Sequence, residues 1–174
     1  MEPVHFHREE DFGCKTCGDC KSGKMRTFQS QGGALYYITT KGTGASINRW
    51  APGELFQRLS GPDFLPDSLA VSGEVVWAIG SGGGLQEVYR RKGDGLWERL
   101  TNLNDSALEN RTVSAPVRYT FTDRDGFSVN GFVIEPADYD PGKSYPGILE
   151  IHGGPRAAFT HGFFHELQYL AGKG

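Results

Sequence analysis

Cysteine is scarce in this 174-residue chain: Cys14, Cys17 and Cys20 are the only three, all near the N-terminus. An odd count without a leader-like start favours a reducing compartment. No apolar run approaches the ~18 residues that a membrane helix needs. Met1 to Asp11 carries acids and no apolar centre, so no secretory leader is expected there. The expected location is cytoplasmic, with no membrane partner. An excess of charge of one sign is also missing. Eighteen Lys and Arg stand against 21 Asp and Glu, a net charge of -3. The basic residues are scattered rather than striped, which excludes a nucleic-acid partner. No Gly-Lys-Ser/Thr follows the glycine run Gly80-Ser81-Gly82-Gly83-Gly84, so that run is a turn and not a phosphate loop. No cofactor is implied.

What the chain does have is glycine, 25 residues of it, together with 12% aromatics. That pairing suggests many short strands joined by tight turns. Residues 1–26 form a polar segment expected to be disordered. It holds Cys14-Lys15-Thr16-Cys17-Gly18-Asp19-Cys20 with His5 and His7 upstream. Three thiolates at this spacing can wrap a soft metal, with His5 or His7 as a fourth ligand. Free thiols are the favoured reading, since structural zinc sites usually close with ligand pairs from two separate segments.

Residues 27–108 carry an internal repeat offset by 41 residues, as the step from Ile38 to Ile79 shows. Gly32 aligns with Gly73, Leu35-Tyr36 with Val76-Trp77, Gly42 with Gly83, Ile47 with Val88 and Arg49 with Arg90. Leu55 to Ser60 aligns with Leu96 to Thr101. Strand-like runs at Ala34–Thr40, Ser46–Ala51 and Leu55–Ser60 are separated by glycine or proline turns. A fourth run fits at Thr27–Ser30 and, in the second unit, at Ser68–Val71. Four strands in ~40–45 residues is the pattern of a β-propeller blade. Tyr36, Trp77, Phe56 and Trp97 then read as aromatic core between the two blades. Two blades do not close a ring, so open blade edges favour self-association.

Thr101 to Ala115 is polar and turn-rich, and residues 109–116 read as a linker. The sequons at Asn104 and Asn110 read as coincidence. Val117–Thr122 and Phe127–Glu135 form a hairpin around Asp123-Arg124-Asp125-Gly126. Gly147 to Ile151 is short, apolar and bounded by Pro146 and Gly153, as a core strand would be. His152-Gly153-Gly154-Pro155 follows as a glycine turn whose backbone N–H groups can face a ligand. A helix is expected near Gly162–Ala171, with Gly172 as its C-cap. Residues 117–174 therefore read as the start of an α/β unit.

The chemistry available is narrow. A hydrolase of this kind would place its nucleophile at a Gly-x-Ser-x-Gly elbow. The nearest match, Gly126 to Gly131 around Ser128, fails at the last glycine and lies in a hairpin strand. His152 is assigned to fixing its loop rather than to proton transfer. His161, His165 and Glu166 suggest a metal motif but lack the internal Glu of His-Glu-x-x-His, which favours reading His165 and Glu166 as a helix-surface or packing pair.

The residues Tyr119-Thr120-Phe121, Asp125-Gly126, Gly131-Phe132, Pro136, Tyr145-Pro146, His152-Gly153-Gly154-Pro155 and Phe163-Phe164-His165-Glu166 resemble a known pattern. It is that of serine peptidases of the prolyl oligopeptidase family, in the dipeptidyl aminopeptidase/acylaminoacyl peptidase branch. The resemblance implies two propeller blades followed by the N-terminal part of an α/β-hydrolase domain. It implies cleavage of short peptides by a Ser-Asp-His triad, all three members of which are expected beyond Gly174. It also implies an oxyanion-hole role for Gly153 and Gly154, with His152 and Pro155 shaping the loop. The chain by itself is then expected to be catalytically silent. The alternative from another class is a non-enzymatic β-repeat binding or assembly module, with or without an N-terminal metal site.

Overall fold

The computed structural model describes residues 11–12, 15–16, 25–154 and 157–174. Cys14, Cys17, Cys20 and Pro155 lie outside the described residues. Strands β1 (Asp11–Phe12) and β2 (Lys15–Thr16) precede a sheet made of β3 (Phe28–Gln31), β4 (Ala34–Lys41), β5 (Gly44–Trp50) and β6 (Gln57–Arg58). β3 and β1 share one edge of β4, each covering part of its length. A second antiparallel sheet follows from β7 (Leu65–Ser72), β8 (Val75–Ser81), β9 (Glu87–Lys92) and β10 (Glu98–Arg99), paired in chain order.

The repeat is reproduced in register. Ile38 pairs with Ile47 as Ile79 pairs with Val88, and Tyr36 pairs with Arg49 as Trp77 pairs with Arg90. Arg49 pairs with Gln57 as Arg90 pairs with Glu98. Gly32 and Gly73 both turn with a left-handed backbone, at φ 60° and 58°. That conformation penalises a Cβ, which is why glycine recurs there. The hydroxyl of Ser60 accepts the Ile47 N–H at 2.8 Å, and that of Thr101 accepts the Val88 N–H at 2.9 Å.

The core lies between the two sheets. Ile38, Ala45 and Ile47 meet Phe64, Leu65, Leu69, Val71, Val76 and Ala78. By the repeat offset, Val76 and Ala78 correspond to Leu35 and Tyr37, not to Tyr36 and Ile38. Successive strand residues face opposite sides, so the front of the first sheet packs on the back of the second. This alternation splits the four aromatics. Tyr36 and Trp97 pack against the core, whereas Phe56 and Trp77 are half-buried outside that cluster. Equivalent residues occupy equivalent faces, and only one face of each sheet meets the other. Trp97 stacks on Phe64 with centroids 5.1 Å apart and donates its indole N–H to the Leu59 carbonyl at 2.7 Å. Arg91 donates to the same carbonyl at 3.2 Å.

The outer strands are shorter than the sequence suggests. β6 and β10 have two residues each, and Leu55 and Leu96 ahead of them are exposed. Each is paired on one side only, and short edges limit unwanted pairing.

A short helix, α1 (Asp105–Leu108), leads to the hairpin β11 (Val117–Thr122) and β12 (Ser128–Val133). Asp123 closes its turn by accepting the N–H groups of Asp125 and Phe127 at 2.9 and 2.8 Å. β13 (Ala157–Ala158) pairs in parallel with β2, and α2 (His165–Ala171) ends the described fold. Among the described residues no helix is long and apolar enough to cross a membrane.

Candidate functional site

Residues 144–154 form no strand. Ile148, Leu149 and Ile151 are 67%, 83% and 76% exposed, which corrects the expected core strand over Gly147–Ile151. A buried strand needs backbone partners at its edges and cover on both faces. Among the described residues no strand pairs with this segment, so its apolar pattern is present without the sheet that would bury it.

The segment instead borders an open cavity of about 990 Å³. Its lining includes Tyr145, Ile148, Ile151 and His152, Phe121 and Phe132 of the hairpin, and Leu167 and Leu170 of α2. Thr40, Gly42 and Thr43, around the β4–β5 turn, complete the wall. The volume is that of a small-molecule or peptide cleft, and the lining is mainly apolar.

His152 stands at the rim. Its Nδ1 lies 3.0 Å from the Gly153 carbonyl oxygen. A carbonyl only accepts, so this contact requires the proton on Nδ1. The ring meets Phe159 edge-on at 5.3 Å, and Phe159 in turn meets Phe164 at 5.9 Å. These contacts join the loop to the segment leading into α2. An ideal Cβ built on Gly153 would find no atom within 4 Å, and its backbone is not left-handed. Neither conformation nor crowding within the described residues therefore demands glycine at 153.

The helix begins at His165, so His161 lies ahead of it and the two are not one helical turn apart on a common face. The i, i+4 arrangement that a metal reading of these two histidines would need is not formed, and His161 Nε2 is buried without a hydrogen-bond partner among the described residues. Among those residues no group of three or more His, Cys, Asp or Glu is placed to hold a metal ion. Gly172 follows the helix as expected and donates its N–H to the Gln168 carbonyl at 2.9 Å, with an ordinary right-handed backbone.

Two placements had no sequence signal. The amide of Gln168 on α2 bonds both backbone groups of Ser114, each at 2.8 Å, and ties the helix to the segment ahead of β11. A lone Gln within a helical pattern reads only as solvent-facing. Gly162 packs near Leu65 at the start of the second sheet; a Cβ there would lie 3.2 Å from Leu65 Cδ1.

Comparison with known proteins gives the class. No family model matches the chain. It is 42% identical over 77 residues to the uncharacterized peptidase YuxL of Bacillus subtilis, covering 44% of this chain and 12% of that protein. It is 34% identical over 66 residues to dipeptidyl peptidase 8 of Homo sapiens, covering 38% of this chain and 7% of that protein. Its fold matches acylaminoacyl peptidase of Pyrococcus horikoshii with a TM-score of 0.74 at 22% identity, over 84% of this chain and 23% of that one. The chain thus spans only a small part of the length of each relative. The matches define a peptidase-related chain built mainly of β-sheet. These relatives are named as a peptidase, a dipeptidyl peptidase and an acylaminoacyl peptidase, in agreement with the resemblance carried by the sequence motifs.

Proposed function

We propose that this chain is the junction of such a peptidase. Residues 27–108 are two propeller blades, 109–116 the linker, and 117–174 the N-terminal part of an α/β-hydrolase domain. The activity of the whole is hydrolysis of short peptides by acyl transfer. The loop His152-Gly153-Gly154-Pro155 supplies backbone N–H donors to the oxyanion that forms in that reaction. The observation that carries this reading is the agreement of two unlike comparisons: named peptidases by sequence, and a peptidase by fold. The open space in front of Gly153 supports the loop assignment. A glycine that no neighbour among the described residues requires leaves room for a substrate carbonyl to approach the backbone.

No Gly-x-Ser-x-Gly occurs in these residues, and acyl transfer needs an activated nucleophile with its base. The 174-residue chain is therefore expected to leave chromogenic dipeptide and ester substrates intact and to escape fluorophosphonate labelling. Stoichiometric labelling of any serine in it, Ser128 included, would overturn the assignment of these residues.

A further inference from the structure

Glu87 is buried, at 3% exposure, at the start of β9. Its carboxylate is held by donors from the segment that leaves β10. The Thr101 hydroxyl donates to Oε2, the Leu103 N–H donates to Oε2 at 3.0 Å, and the Asn104 N–H donates to Oε1 at 2.9 Å. The Asn104 amide nitrogen adds a bond to Oε1 at 3.1 Å and another to the Gln86 carbonyl at 2.6 Å. Arg99 lies 3.2 Å from Oε1 and reaches on to Asp105 at 2.5 Å. Burial alone would push this carboxyl upward, but the bonds from Thr101, Asn104 and Leu103 outweigh it and hold it down at about 2.

The repeat supplies an internal control. In the first unit the residue equivalent to Glu87 is Ser46, and the one equivalent to Leu103 is Pro62, which has no N–H. Ser60 still caps Ile47 as Thr101 caps Val88. So the hydroxyl cap belongs to both units, whereas the carboxylate cluster belongs only to the second. The first unit runs through Gly61–Phe64 directly into β7. The second instead hands the chain to α1, the linker and the hairpin.

We propose that Glu87 is a latch: its carboxylate gathers residues 101–105 onto the second sheet and fixes where the chain leaves the repeat for the segment bearing the His152 loop. A buried carboxylate with this many charge-assisted bonds is a rigid anchor. The proposal does not depend on the peptidase reading, since the cluster lies wholly within residues 86–105. Sequon modification at Asn104 is incompatible with the latched state, because its amide nitrogen is committed to Gln86 and Glu87.

Amide hydrogen exchange on the 174-residue chain tests the latch. In Glu87→Gln the new amide faces the same N–H donors and cannot accept from all of them. Exchange at Leu103 and Asn104 is expected to rise by about tenfold or more. The Leu59 and Leu100 amides, bonded to Ile47 and Val88 within the sheets at 2.8 Å, should hold their protection. Unchanged protection at Leu103 and Asn104, or an equal loss at all four amides, overturns the proposal. Should Glu87→Gln fail to fold, Asn104→Ala gives the decision. It removes one side-chain donor and keeps the carboxylate, and selective loss at Leu103 supports the latch while none refutes it.

Discussion

At Gly80 an ideal Cβ would lie 2.5 Å from the Leu65 carbonyl oxygen and 3.0 Å from Phe64 Cζ and Pro66 Cα. The first of these is a backbone atom of the neighbouring strand β7, so the clash has no flexible side chain to absorb it. Gly82, two residues on, meets only the Tyr89 hydroxyl, at 3.4 Å. Gly80→Ala is therefore expected to lower unfolding free energy by about 1–3 kcal/mol, the usual range for overpacking, and Gly82→Ala to stay within about 0.5 kcal/mol. Denaturant titrations of the two variants provide the comparison, and equal midpoints would remove the close-approach explanation. Both glycines belong to the run that reads in sequence only as a turn. That reading is right for Gly82 onward. Gly80 closes β8 with Ser81, and its requirement comes from Leu65 and Pro66 of β7, fourteen or more residues away.

One carbonyl and one ring add polar and aromatic contacts to the apolar core between the two sheets. Leu59 leaves its oxygen to Trp97 and Arg91 of the second sheet, and the Trp97 ring lies on Phe64. Trp97→Phe keeps an aromatic ring on Phe64 but removes the N–H and part of the packed ring area. A loss of at least about 1 kcal/mol is expected, the net worth of a typical hydrogen bond with the lost packing added to it, measured by thermal or chemical unfolding. Phe56→Leu, at the equivalent place in the first unit, should cost less, because that face is outside the shared core. If the two substitutions cost the same, the front-to-back packing is wrong. The repeat spacing makes these aromatics equivalent, yet packing does not treat them alike. Pattern identifies which residues share a face, but only the docking of one sheet on the other selects which face is covered.

Over the whole molecule, burial is uneven. The sheets hold most of the buried residues, while β11 is exposed along its length and the hairpin leaves Tyr119, Phe121 and Val133 in solvent. Ile148, Leu149 and Ile151 add to this surface. Contiguous apolar surface of this kind drives association. The 174-residue chain is expected to self-associate with rising concentration in sedimentation velocity, and Ile148→Lys with Leu149→Lys to reduce that association. A monodisperse monomer at all concentrations would contradict it.

The order of local patterns was legible without coordinates. The 41-residue repeat, its strand runs, the Asp123–Gly126 hairpin turn and the helix ending at Ala171 all depend on side-chain class and on turn residues within a few positions of one another. The candidate loop was legible as Gly-Gly after an apolar run for the same reason. Tertiary structure alone decided the rest: which faces meet, why Gly80 must be glycine, how Gln168 holds Ser114, and how Glu87 gathers residues 101–105. It also decided that Gly147–Ile151 remains exposed and outside any strand. These outcomes depend on partners distant in sequence, and a strand pattern becomes a strand only when another backbone lies beside it to take its hydrogen bonds.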